Sequence, residues 1–220
     1  MKKYRPLVFA LLLTFLSGCL NYEQVTVVKT DSSGEMFIHY WIKWNSSKDS
    51  LVLMNLEIFN TDSMYNKFSS SFTIINDLQV YRNFKDSTLH AKVEFEFSNF
   101  DSLNTLAVFK GREFSIKDGP ENTKLFSQSV SNYASGWGSD KSEPHINYIY
   151  YLPGEIIKHN AHLLSNNKLT WSFDSENLSK EKYLTATYRP FKLKETPLWI
   201  YLSALFVLFI VVVYMFSRKK

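Results

Sequence analysis

Cys19 is the residue with the most defined chemistry. It is the only cysteine in 220 residues, which excludes an intramolecular disulfide and any multi-cysteine zinc site. Leu16-Ser17-Gly18 precede it. Further upstream lie a basic segment, Met1 to Arg5, and an apolar run from Leu7 to Leu16 with Thr14 as its one polar member. Such a run is too short to span a bilayer and suits the apolar region of a secretory signal. Small residues then a unique cysteine read as a lipobox. Cleavage after Gly18 would leave Cys19 as a new N-terminus for acylation. An uncleaved anchor with a chance cysteine is the competing reading, and it leaves the coincidence of these features unexplained.

Other reactive residue types form no catalytic pattern. His159-Asn160-Ala161-His162 sets two histidines three apart, but on a segment that reads as strand and loop, with no Glu in the metalloprotease position. These histidines are expected at the surface. No Gly-x-Ser-x-Gly, no supported Ser-x-x-Lys and no phosphate-binding loop is present. Lys92, Glu94 and Glu96 alternate on one strand face, as solvated positions do; carboxylates paired for catalysis would need burial to shift their pKa values. Gly136-Trp137-Gly138 reads as an aromatic on a loop, either a membrane- or ligand-touching tip or an ordinary anchor. The expectation is a protein that is not an enzyme, with no catalytic residue, cofactor or metal.

Charge placement narrows the class further. The formal net charge is +4, from 25 Lys and Arg against 21 Asp and Glu. Six of the basic residues are Lys2, Lys3, Arg5, Arg218, Lys219 and Lys220. The remainder of the chain holds 19 basic residues and 21 acidic ones, a net of −2. The basic balance is therefore topogenic, and nucleic acid is not an expected partner.

The other end carries a second anchor signal. Leu198 to Phe216 is nineteen residues without a charge, about 28 Å as a helix and close to the hydrocarbon thickness. Pro197 sits where a helix start tolerates it. Trp199 and Tyr201 mark one interface, Tyr214 the other, and Arg218-Lys219-Lys220 follow as a cytoplasmic flag. An apolar surface all round argues against a buried core helix. The layout expected is residues 1–18 signal peptide, 19–190 extracytoplasmic domain, 191–196 linker, 197–217 transmembrane helix and 218–220 cytoplasmic tail. Leu20 at the second mature position would send many lipoproteins to an outer membrane, but a spanning helix argues for the cytoplasmic membrane. With both tethers short, the first and last strands are expected to open on the membrane-proximal side.

Between the anchors the pattern is mostly strand. Glu23–Lys29 and Glu35–Trp44 read as a hairpin. Met36, Ile38, Tyr40, Ile42 and Trp44 share one face of its second strand, and Phe37, His39, Trp41 and Lys43 the other. Leu51–Phe59 is a mostly apolar run, read as a strand. Asn60 to Ser63 signals a short helix. A second hairpin pairs Asp77–Asn83 with Thr88–Ser98, with Val93, Phe95 and Phe97 inward. Asp101-Ser102 caps a short helical stretch with Leu103, Leu106 and Ala107 inward. Strands follow over Arg112–Lys117, Lys124–Val130, Ile146–Leu152, Glu155–Lys158, Lys168–Phe173 and Tyr183–Tyr188. The fold class is α+β: a mostly antiparallel sheet, one or two short helices, and the C-terminal transmembrane helix.

The order of elements carries a resemblance. A lipobox is followed at once by Val25-Thr26-Val27-Val28-Lys29 and Gly34-Glu35-Met36-Phe37-Ile38. A short helix, Leu78-Gln79-Val80-Tyr81 and His90 to Phe97 come next. Tyr151-Leu152-Pro153-Gly154-Glu155, Asn160-Ala161 and Asn167 to Phe173 come late, before the membrane helix. This resembles the LppM-type domain family of membrane-anchored bacterial lipoproteins. The resemblance implies an α+β sheet partly wrapped on a helix, similar to lipid-transfer folds. For the type member, a mycobacterial lipoprotein, it implies binding of phosphatidylinositol-based glycolipids. It brings no catalytic residues.

A lipid site needs an apolar wall. Trp41, Phe95, Tyr148, Tyr150, Trp171 and Phe173 are the candidate lining residues, and the plain alternative is that each fills the core. The function expected is a non-catalytic envelope lipoprotein binding lipid or lipoglycan. The alternative is an envelope scaffold that docks a protein partner.

Overall fold

The computed structural model describes residues 20–44, 53–54, 57–130, 145–174, 182–191 and 198–217. Cys19 and Gly136-Trp137-Gly138 lie outside them. The chain divides into two units, residues 1–190 and 191–220.

The first unit is mostly β, in two sheets. The large sheet has seven strands in the order β3-β4-β2-β1-β7-β10-β9. These are β1 (Asn21–Val28), β2 (Gly34–Lys43), β3 (Thr73–Asn83), β4 (Thr88–Phe97), β7 (Ile146–Tyr151), β9 (Leu163–Ser165) and β10 (Lys168–Phe173). The small sheet has the order β5-β6-β11-β8, with β5 (Ser115–Asp118), β6 (Lys124–Ser129), β8 (Gly154–His159) and β11 (Tyr183–Pro190). Among the described residues every pairing is antiparallel but one: β1 runs parallel to β7. The pairing is therefore mostly antiparallel, as expected, but it is divided over two sheets, and the larger one is mixed. Local periodicity cannot report a parallel neighbour that arrives well over a hundred residues later.

Alternation decides which face is core. Met36, Ile38, Tyr40, Ile42 and Trp44 are all buried, as are Leu89, Ala91, Val93, Phe95 and Phe97 beside them. The inner face of the large sheet is covered in two halves. Over β4, α1 (Thr61–Phe68) and a helical turn at Ala107–Phe109 bring Phe68 and Phe109 onto Phe95. Over β7 and β10, the small sheet brings Phe126 onto Tyr150 and Trp171.

The helix α1 starts where Asn60 accepts the Ser63 amide at 2.8 Å, and it buries Met64 and Phe68. The run before it is helical at 53–54 and a 3-10 turn at Glu57–Phe59, not the expected strand; its other residues lie outside the described set. Asp101 and Ser102 do not act as caps. Asn99 accepts both of their amides, and Asp101 instead accepts the Ile116 amide. Leu103 and Leu106 point inward as expected, but Ala107 is exposed and Phe109 takes the inward place.

Two further expectations change. The strand expected from Arg112 begins only at Ser115, because Arg112 closes a turn onto the Phe109 carbonyl and buries its side chain. The two chain ends do not leave on one side. β1 starts beside Ile146, at the head of β7, while β11 ends beside Gly154, three residues past the tail of β7.

The second unit is α2 (Leu198–Ser217), a 20-residue helix. Its side chains are described through Val212 and at Tyr214, and they are exposed. Among the described residues, no helix is long and apolar enough to cross a membrane.

Candidate functional site

The inward face of β1 reads Tyr22, Gln24, Thr26, Val28, all buried, while Val27 is 40% exposed. Two polar side chains thus face the core where a simple polar-out pattern would place them in solvent. They are the middle of a hydrogen-bonded chain that crosses from one sheet to the other. Arg112 Nη1 donates to the Tyr22 hydroxyl at 2.7 Å. Tyr22 donates to Gln24 Oε1 at 2.7 Å. Gln24 Nε2 donates to Thr26 Oγ1 at 3.1 Å and to the Tyr150 hydroxyl at 2.7 Å. Tyr150 in turn donates to Gln128 Oε1 on β6. Arg112, Gln24, Thr26 and Gln128 are completely buried.

Electrostatics keep this chain intact at neutral pH. Burial pushes the Tyr22 phenol well up, and the Arg112 charge only partly offsets that. Burial likewise raises Tyr150. Both phenols stay protonated and can donate. The Arg112 guanidinium lies 5.1 Å from the centroids of the Tyr22 and Phe109 rings, so two π-faces share its charge. Among the described residues, the buried polar side chains are Gln24, Thr26, Arg112, Thr123 and Gln128, with no carboxylate. The chain ends on an orphan: Gln128 Nε2 is buried without an acceptor. A buried donor left unmade costs about 1–3 kcal/mol.

Aromatics wall this polar line. Tyr148, Tyr150, Trp171 and Phe173 sit on the adjacent strands β7 and β10, with Tyr148 opposite Trp171. Tyr150 meets Phe126 at 4.6 Å and Trp171 at 6.1 Å, and Tyr148 meets Phe173 at 6.1 Å. Trp171 Nε1 donates to Asn160 at 2.9 Å. Of the six candidate lining residues, these four come together. Phe95 is also buried, but in the other half of the core against Phe68. Trp41 is on the outer face of the large sheet, half-buried against His39 at 4.6 Å.

Arg112, Tyr22, Gln24, Thr26 and Gln128 were missed from the sequence. Tyr22 and Gln24 at spacing two gave a faint signal; a lone arginine between apolar turns gave none. His162 is exposed and accepts the Ser172 amide at 2.9 Å. His159 is only half-exposed and its Nδ1 is buried. No group of three or more His, Cys, Asp or Glu among the described residues could hold a metal. An open cleft of about 340 Å³ on the small sheet is lined by Leu125, Ser127, Lys158, Thr185 and Thr187, among others.

These features define a class: a two-sheet β-domain whose aromatic core carries a buried polar line. A solved structure of similar fold is the folded domain of LppM from Mycobacterium tuberculosis, determined by NMR. It shares 14% identity, covers 81% of this chain and 94% of its own, and superposes with a TM-score of 0.50. The chain therefore has an LppM-like domain fold, as the order of its elements implied. No family model and no curated protein matches the sequence.

Proposed function

We propose that this chain is a membrane-anchored envelope lipoprotein whose two-sheet domain binds a lipid or lipoglycan without catalysing a reaction. The buried polar line through an aromatic core carries this reading. An amphiphile needs an apolar wall for its chains and fixed polar groups for its head. Here Tyr148, Trp171 and Phe173 supply the wall. The orphan Gln128 amide and the Arg112–Tyr22 pair supply donors for ester, phosphate or sugar oxygens. The two sheets share no backbone ladder, so a ligand entering between them displaces side chains and not backbone ladders. The LppM-like fold supports an envelope lipoprotein. The lipobox at Cys19 supplies the acyl anchor. The uncharged stretch to Phe216, with its basic tail, is read as a second membrane anchor that keeps the domain outside the cytoplasmic membrane.

Native mass spectrometry of the purified chain, with lipid extraction, tests this. A stoichiometric amphiphile should co-purify, and its loss in Trp171→Ala would tie it to the core. A clean apo mass that ignores added envelope lipids would sink the reading. One observation favours the scaffold alternative instead. Among the described residues, the eleven-residue edge strand β3 pairs with a strand on one side only, and its other side offers a ladder to a partner strand.

A further inference from the structure

One end of the large sheet differs from the rest of its surface. Asn21, at the head of β1, is opposite Trp41 on β2; Trp41 is opposite His90 on β4; His90 is opposite Tyr81 on β3. The next rung holds Lys43, Thr88 and Asn83. Beyond it the β3–β4 turn, residues 84–87, forms the tip.

The tip is closed by hydrogen bonds and displays an apolar ring. Phe84 is 77% exposed, yet it meets the buried Trp44 ring edge-on at 6.0 Å. The Trp44 amide donates to the Ser87 carbonyl at 2.9 Å, which ties the end of β2 to the turn. Asn83 Oδ1 accepts the Lys85 amide at 3.1 Å. The only carboxylate in the turn is occupied: Asp86 accepts from Asn83 at 2.9 Å and from Thr88. Lys43 and Lys85 remain exposed. Behind them Tyr81 stacks on His90 at 4.8 Å, and His39 lies tilted against Trp41 at 4.6 Å. A protruding Phe, flanking lysines and a collar of Trp, Tyr and His are the side chains favoured at a membrane–water boundary.

Chain connectivity selects the occupant. Cys19 precedes Asn21 by two residues, at most about 7 Å of chain. An acyl group there would hold this end of the sheet at a bilayer. Charge argues against the alternative of laying the outer face flat, where Glu23, Glu35, Asp77, Glu94 and Glu96 outnumber Lys43, Lys92 and Lys168.

We propose that the β3–β4 tip, led by Phe84 and flanked by Lys43 and Lys85, docks into an anionic bilayer surface beside the Cys19 anchor. This rests on the lipoprotein reading and adds an orientation to it: the large sheet stands on its Asn21 end. The opposite turn, at Asp31, then points into the aqueous phase.

The unique cysteine makes the test direct, because acylation blocks it. The full-length chain carrying Phe84→Cys or Asp31→Cys is labelled with an environment-sensitive dye. Each is reconstituted in phosphatidylglycerol-containing vesicles with doxyl-lipid quenchers. Lipid quenching at 84 with an aqueous dye at 31 is the expected result. Lys85→Glu should weaken tip partitioning about fivefold in anionic vesicles and leave it unchanged in neutral ones. An aqueous dye at 84, equal quenching at 84 and 31, or a dye at 84 that is shielded without lipid quenching overturns the proposal; the last would mark a protein occupant. Intact mass reports separately on Cys19. If acylation is absent the anchor reading fails, and position 84 is read in Cys19→Ser, where an aqueous dye again sinks the tip.

Discussion

Arg112 and Tyr22 meet twice. The guanidinium donates to the Tyr22 hydroxyl at 2.7 Å and also lies 5.1 Å from the centroid of the same ring. One contact fixes direction and the other spreads charge, which is how a cation is held where water does not reach.

Arg112→Ala should cost about 2–5 kcal/mol, because it leaves a cavity and strips Tyr22 of its donor. Arg112→Met keeps most of the volume and should recover a large part of that loss. Thermal unfolding of the full chain in detergent reads both, at about 2–4 °C per kcal/mol for a domain of this size.

Tyr150→Phe removes the link between the sheets while keeping the ring packed on Phe126. Gln24 loses an acceptor and Gln128 a donor. A destabilisation of about 1–3 kcal/mol is expected. Any co-purifying amphiphile should be retained less well than by the parent chain, which lipid extraction would measure.

His39 sets an acid limit on stability. Burial lowers its imidazole from 6.5 to about 4, with the neighbouring His90 and Lys92 charges adding to the effect. In the unfolded chain it titrates near its ordinary value. The unfolded state therefore binds the extra proton first as pH falls. Stability is full above about 6.5, declines towards pH 4 and levels off below it. His39 is half-buried, so solvent screening holds the loss to about 1–2 kcal/mol. Melting at pH 7 and pH 5 should show a drop that His39→Phe flattens. His90, also lowered by burial, contributes in the same direction.

Gly154→Ala would place its Cβ 2.2 Å from the Arg189 carbonyl oxygen and 2.8 Å from the Tyr188 ring. Backbone cannot yield as a flexible side chain can, so β8 should part from β11 at a cost of about 1–3 kcal/mol. Amide exchange would then accelerate along β8 and leave β2 protected. Uniform protection of both would refute this.

Much of the fold was legible because its strands are half-solvated. The alternation of Met36, Ile38 and Tyr40 against Phe37, His39 and Trp41 places β2 within a residue of its observed bounds. Lys168–Phe173 is read at its observed limits for the same reason. Misreadings cluster where local pattern and tertiary placement disagree. Leu51–Phe59 is apolar at every position but Asn55 and Glu57, so periodicity cannot separate strand from helical turn there. β9, three residues with exposed side chains, has no pattern to find. The candidate site was half legible: aromatics advertise burial, so Tyr148, Tyr150, Trp171 and Phe173 were found. Arg112 and Gln24 were not, since polar residues by type belong outside and only a fold already assembled places them within.

Both strands nearest the chain ends are interior strands. β1 lies between β2 and β7, and β11 lies between β6 and β8. Tension applied at either end therefore loads two hydrogen-bonded ladders at once, along the strand. It must shear them together and cannot unzip an edge one rung at a time.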